Sequence, residues 1–198
     1  MTIYGTVIGG VFMEANSQQY KDVLYSTLEE AYGKVVYTYT TQVIHAGRLK
    51  RRNTILKWLQ IILSAASTGG FLASVITNQT ALVWVGGICS TALLVLTPYF
   101  KDSDFSNTYA RHHITSNSLW TVREEYLALL TDFDVLTTEE ITKKRDDLRK
   151  KTSKIYENAP LTDARSYALA QKAIKKGESQ FFSREELNQM LPEKLRKQ

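Results

Sequence analysis

Polar and apolar positions divide the chain into a few long runs. From Trp58 to Phe100, 43 consecutive positions carry no Asp, Glu, Lys, Arg or His. The run breaks once, at Thr77-Asn78-Gln79-Thr80, into two halves of 20 residues, WLQIILSAASTGGFLASVIT and ALVWVGGICSTALLVLTPYF. A helix of about 20 residues rises about 30 Å, the depth of the hydrocarbon layer of a bilayer. Soluble helices usually keep a polar outer face, and neither half carries a charge anywhere. The pattern predicts a hairpin of two transmembrane helices, about 58–77 and 81–100, joined by a very short polar turn. The competing reading is a pair of buried helices in a soluble core, which a chain of 198 residues is long enough to build.

The flanking segments read as helices too. Over 17–49, Leu24, Leu28, Ala31/Tyr32, Val35, Tyr39, Val43 and Ala46 recur at steps of three or four, the amphipathic pattern of one long helix. Its tyrosines fit helix packing better than ligand stacking. No proline stops that helix from running on into the first span. Residues 1–13 are apolar but broken by Gly5, Gly9 and Gly10, which predicts a loose or strand-like arm, 1–16, ahead of the helix. After a polar link at 101–104, residues 105–133 form the next helix, expected antiparallel to 17–49. Thr137 or Thr138 can cap a charged helix over 137–157, with Glu140 as the three-on partner of Thr137. In it Ile141, Leu148 and Ile155 repeat every seven residues, a spacing suited to coiled-coil pairing. Helices at 162–176, stopped by Gly177, and at 185–191, opened by Ser183 with Glu186, complete the chain. The fold class is therefore an all-α membrane protein, a two-helix transmembrane hairpin with long cytoplasmic helices before and after it. The expected division is the arm, a two-transmembrane domain over 17–135, and a cytoplasmic helical tail over 136–198.

Charge sets the orientation. Arg48, Lys50, Arg51, Arg52 and Lys57 crowd the start of the first span, Lys101 marks the end of the second, and the turn is uncharged. Positive residues beside a span favour the cytoplasmic side, so both termini are expected in the cytoplasm, with only the turn outside. Trp58, Tyr99 and Phe100 stand where an inner aromatic belt lies, and Trp84 stands near the outer one. The net charge of +5 is concentrated towards the two ends and suits attraction to anionic lipid. The bases are interleaved with acids, so direct nucleic-acid binding is not expected.

Candidate chemistry is sparse. The only cysteine, Cys89, lies inside the second span, which leaves neither a disulfide nor a cysteine metal site. The N-terminus lacks the basic region of a signal peptide. His112 and His113 point about 100° apart on a helix and cannot share a metal on one face, and His45 is distant in sequence. No phosphate-binding, dinucleotide-binding, metalloprotease or serine-hydrolase motif occurs. No enzyme, metal or cofactor is expected.

The spans carry more small and polar residues than an anchor needs. Ala65, Gly69 and Ala73 share one face of the first span, a stripe that lets helices approach closely. Gly86, Gly87 and Ser90 offer the second span a similar surface. Gln60, Ser64, Ser67, Phe71 and Ser74 form a polar stripe opposite the small one. If the small stripe closes the hairpin, the polar stripe is free to line a narrow pore in an oligomer, with Phe71 as an apolar constriction. The bland alternative has these hydroxyls bonding to their own helix carbonyls.

A basic-flanked hairpin followed by Leu119-Trp120-Thr121-Val122-Arg123-Glu124-Glu125-Tyr126-Leu127-Ala128-Leu129-Leu130-Thr131-Asp132 resembles the SLATT family of bacterial conflict-system effectors. The tail, from Tyr167 through Lys176 and Phe182 to Arg196, is similar to a subgroup linked to reverse-transcriptase defence loci. The resemblance covers about 17–196. It implies a homo-oligomeric effector of antiphage defence that disrupts the inner membrane when a genomically linked sensor fires, either a reverse transcriptase or a nucleotide-second-messenger system. It also marks Trp120, Arg123 and Tyr126 as a regulatory or structural motif. Two other readings stay open: a non-conducting anchor or adaptor, and a nucleotide sensor in which Arg123 meets phosphate while Trp120 and tyrosines stack a base.

Overall fold

A computed structural model describes residues 3–102, 104–177 and 182–190, with the side chains of 18–100, 104–177 and most of 182–190. The described residues form six helices and no strand. These are α1 (Ile3–Thr77), α2 (Thr80–Asp102), α3 (Phe105–Thr131), α4 (Thr138–Asn158), α5 (Ala164–Lys176) and α6 (Arg184–Met190). Two of them are long and apolar enough to cross a membrane. The fold is an all-α one with two such helices, as the hydropathy pattern predicts.

One expectation is corrected at once. The loose arm over 1–16 is helical from Ile3 onward, as the first turns of α1. A helical glycine costs only about 1 kcal/mol relative to alanine. Extending an existing helix also avoids the nucleation step. Glycines therefore weaken this end without ending it. Residues 1 and 2 lie outside the described residues.

The chain separates into two compact units, one of Met1–Ile44 with Thr115–Gln198 and one of His45–Ile114. The first unit takes in residues on both sides of 135/136. The reason is that α4 packs its apolar stripe into the same core as α1 and α3. Leu24, Leu28, Val35, Leu119, Val122, Tyr126, Leu129, Phe133, Ile141 and Leu148 form one buried cluster, with Ile155 against it. The seven-residue repeat Ile141, Leu148, Ile155 is thus used inside the unit. Within this unit α1 and α3 run antiparallel: Tyr25 meets Phe133 at 5.0 Å, and Tyr39 meets Trp120 at 5.4 Å.

The caps follow their sequence signals. Thr137 and Glu140 form a full capping box at the start of α4. Hydrogen bonds from the Thr137 side chain and backbone hold the Glu140 carboxyl below its usual range. Asp163 caps α5 through the backbone N–H of Ser166, and Gly177 ends it. Ser183 and Glu186 cap α6 reciprocally.

The second unit holds the hairpin. Asn78 takes the left-handed conformation, φ 53°, in a turn of two residues between α1 and α2. At the other end Asp104 accepts from the backbone and side chain of Asn107, in the first turn of α3. The large side chains of the two spans point outward. Ile76 is 84% exposed and Leu94 is 74% exposed. A soluble core would bury them, whereas a bilayer offers them hydrocarbon.

Candidate functional site

Two helices in hydrocarbon gain nothing from hiding apolar surface, so close approach and polar contacts decide how they pair. In this hairpin the approach is set by Gly70 and Gly86. A Cβ on Gly70 would lie 3.1 Å from the carbonyl oxygen of Leu82 and 3.3 Å from the Gly86 nitrogen. A Cβ on Gly86 would meet the Phe71 ring and the Ser67 carbonyl, each at 3.2 Å. The polar contact is Ser67, 7% exposed. Its hydroxyl lies 2.6 Å from that of Ser90 and 3.3 Å from the Gly86 carbonyl oxygen, to which it donates.

Within a single chain the residues of the two stripes are placed as follows. Ser67 does not face open space but lies in the intrachain seam. Gln60 and Ser74, seven residues to either side of it, are partly buried. Ser64 is exposed, and Phe71 keeps 43% of its surface while its ring covers Gly86. Ala65 and Gly69 are exposed, and Ala73 is partly covered. Neither Gly69 nor Gly87 has any atom within 4 Å of where a Cβ would stand. Only Gly86 and Ser90 of the expected packing set meet the first span through contacts of this kind. A buried hydroxyl in hydrocarbon must find an acceptor, and the one across the hairpin decides the register. Four other hydroxyls bond their own helices: Ser74 to Phe71, Thr77 to Ala73, Thr91 to Gly87 and Thr97 to Leu93.

The seam was visible in the sequence as spacing rather than as residue type. Asn53, Leu56, Gln60, Leu63, Ser67, Gly70 and Ser74 alternate steps of three and four, and all are partly or fully covered. This is the a/d spacing of a coiled coil. Gly70 was missed because Gly69 beside it completes the more familiar small-residue stripe.

The Trp120, Arg123 and Tyr126 motif lies in the other unit. Arg123 is 9% exposed, with its guanidinium 4.5 Å from the centre of the Trp120 ring and 2.9 Å from Glu124. Its Nε has no hydrogen-bond partner. Tyr126 sits in the core, where burial pushes its phenol above the ordinary range while a hydrogen bond with Thr152 pulls the other way. Arg123 thus engages a ring and a carboxylate within its own unit.

His45 and His112, 67 positions apart, stack with ring centres 4.3 Å apart. Sequence distance hid this pair; the antiparallel register of α1 and α3 would have revealed it. Among the described residues, no cluster of three His, Cys, Asp or Glu could hold a metal.

The family model described as SMODS and SLOG-associating 2TM effector domain family 4 matches residues 24–186. The chain belongs to that SLATT family. The match runs from the buried Leu24 of α1, through both spans, to Glu186 in the cap of α6. It therefore takes in both compact units of the SLATT protein. No curated protein and no solved structure matches the chain. The two-transmembrane description agrees with the two apolar helices, and marks this SLATT chain as a membrane effector.

Proposed function

We propose that this SLATT protein is an inner-membrane effector of bacterial antiphage defence that oligomerises and opens a path for ions when a linked sensor is triggered. Both termini face the cytoplasm in this reading, because every charge beside the spans is basic on that side except Asp102 and Asp104. The observation that carries the proposal is the hairpin itself. It satisfies its own buried hydroxyls within one chain and leaves Gly69 and Gly87 open. Each lies one residue off the Gly70–Gly86 contact, Gly69 before it and Gly87 after it. Neighbouring helix positions point about 100° apart, so on antiparallel helices these two glycines flank the seam on opposite sides. Opposite flanks allow one copy to dock on the next head to tail, which closes into a ring when the rotation permits. The conducting path then runs between copies. The unit containing Trp120 and Arg123 receives the signal, and no catalytic step is involved.

The test is oligomer yield in membranes, read by crosslinking of the full chain. Gly69→Leu and Gly87→Leu each fill an open flank and are expected to reduce yield at least several-fold while leaving the hairpin closed. Unchanged yield for both variants would remove this mode of assembly.

A further inference from the structure

From Ala31 to Lys101 the chain contains no Asp or Glu. Six bases stand in that interval before the first span: Lys34, Arg48, Lys50, Arg51, Arg52 and Lys57. Lys34 pairs with Glu30, one turn earlier. Lys50, Arg51, Arg52 and Lys57 are all exposed, and none is paired with a carboxylate among the described residues. In the other unit Arg145, Lys150 and Lys151 each sit beside an acid.

Arg52 differs from its three neighbours. Its Nη2 donates to the Tyr99 hydroxyl at 2.6 Å, and its guanidinium lies over the Phe105 ring at 5.2 Å. The end of α2 and the start of α3 thus hold it in place. Both partners are neutral, so the charge is fixed in position but not compensated. Only one of the five guanidinium N–H groups is used by Tyr99, and the planar fork matches a phosphate bidentately. Tyr99 and Trp58 are the interfacial aromatics of the hairpin, so the group they flank lies at headgroup depth. A phosphodiester there meets one guanidinium that needs little further ordering, on a stretch of α1 whose other exposed charges, Lys50, Arg51 and Lys57, are all positive.

We propose that Arg52, held by Tyr99 and Phe105 on a stretch of α1 that also exposes Lys50, Arg51 and Lys57, binds the phosphate of an anionic glycerophospholipid at the base of the hairpin. This rests on the membrane reading above and names the lipid partner of that same hairpin. Tyr99 and Phe105 are positioning residues, because they act through Arg52.

The experiment uses the full chain reconstituted in vesicles of phosphatidylcholine with a minority of phosphatidylglycerol. The readout is the ratio of the two lipids retained after mild detergent extraction. The wild type is expected to retain phosphatidylglycerol well above its share in the vesicle. Arg52→Gln should lower that enrichment by at least about fivefold, the effect of one well-placed cation. Arg51→Gln should lower it less, because that side chain must be ordered on binding. Tyr99→Phe keeps every charge and frees the guanidinium, so it should reduce the enrichment to the level of Arg51→Gln. Arg52→Lys should restore part of what Arg52→Gln loses.

Retention in vesicle proportion by the wild type would overturn the proposal, as would an Arg52→Gln variant equal to the wild type. Loss of the enrichment in excess inorganic phosphate would also overturn it, by showing a free anion site rather than a lipid site. Salt-resistant flotation with pure phosphatidylcholine is measured alongside. Failure to float removes the membrane reading and this proposal together, whereas flotation without enrichment removes this proposal alone.

Discussion

Replacing Gly70 with Leu is expected to part the two halves of the hairpin. Even a methyl group at that position would stand 3.1 Å from a backbone oxygen and 3.3 Å from a backbone nitrogen of α2. Backbone cannot turn aside as a side chain can, so the helices must separate. Separation breaks the contact between Ser67 and Ser90 and strands a hydroxyl in hydrocarbon. Overpacking of this kind costs about 1–3 kcal/mol in well-packed interiors. The loss is readable as disulfide yield between cysteines placed at 67 and 90, in a chain whose native Cys89 is changed to Ser. The two hydroxyls are 2.6 Å apart, so thiols there can reach each other. Yield should fall by tenfold or more with Gly70→Leu and stay unchanged with Gly69→Leu, since Gly69 has open space at its Cβ. Equal yields in the two variants would refute the assigned seam.

Leu119→Ala should weaken the other unit by about 2–5 kcal/mol, the range for a fully buried leucine. Leu119 has no exposed surface and belongs to the cluster that joins α1, α3 and α4. The cavity left behind has Leu28, Val35 and Ile141 in the same rigid layer, all under 2% exposed, so little of it can collapse. Leu127 lies on the same helix but is 41% exposed, and Leu127→Ala should cost under about 1 kcal/mol. Thermal unfolding of the detergent-solubilised chain, with Trp58 and Trp84 changed to Phe and followed by Trp120 fluorescence, compares the two. Trp120 reports on this unit because it packs on Tyr39 of α1. Equal midpoints for the two variants would contradict the core described here.

Much of the architecture was legible because it depends on strong, local signals. An uncharged run of 43 residues has few alternatives to a membrane hairpin, and Asn78 supplies the one turn it needs. The capping boxes at Thr137 and Ser183 are read directly from residue type and spacing. The face of each span was not legible in the same way. Ala65-Gly69-Ala73 and Asn53-to-Ser74 are both plausible stripes on one helix. The choice between them depends on which residues of α2 lie opposite, here Gly86 and Ser90. That is a long-range fact, absent from the local pattern. The same holds for His45 with His112, and for Arg52 with Tyr99 and Phe105. The N-terminal glycines misled for a different reason. Their cost is local and small, while the helix they extend is already long. The Ile141, Leu148 and Ile155 stripe shows a further limit, since a seven-residue period says that a face will be covered but not by what.

In the proposed function the hairpin crosses the inner membrane and conducts when assembled. The most direct test is membrane potential, followed by a voltage-sensitive dye in cells that carry the chain together with its genomic neighbours. The account predicts that triggering the linked sensor collapses the potential, and that Gly69→Leu, although still inserted, largely prevents the collapse. A potential that holds steady after triggering, with the wild-type chain verified in the inner membrane, would contradict it.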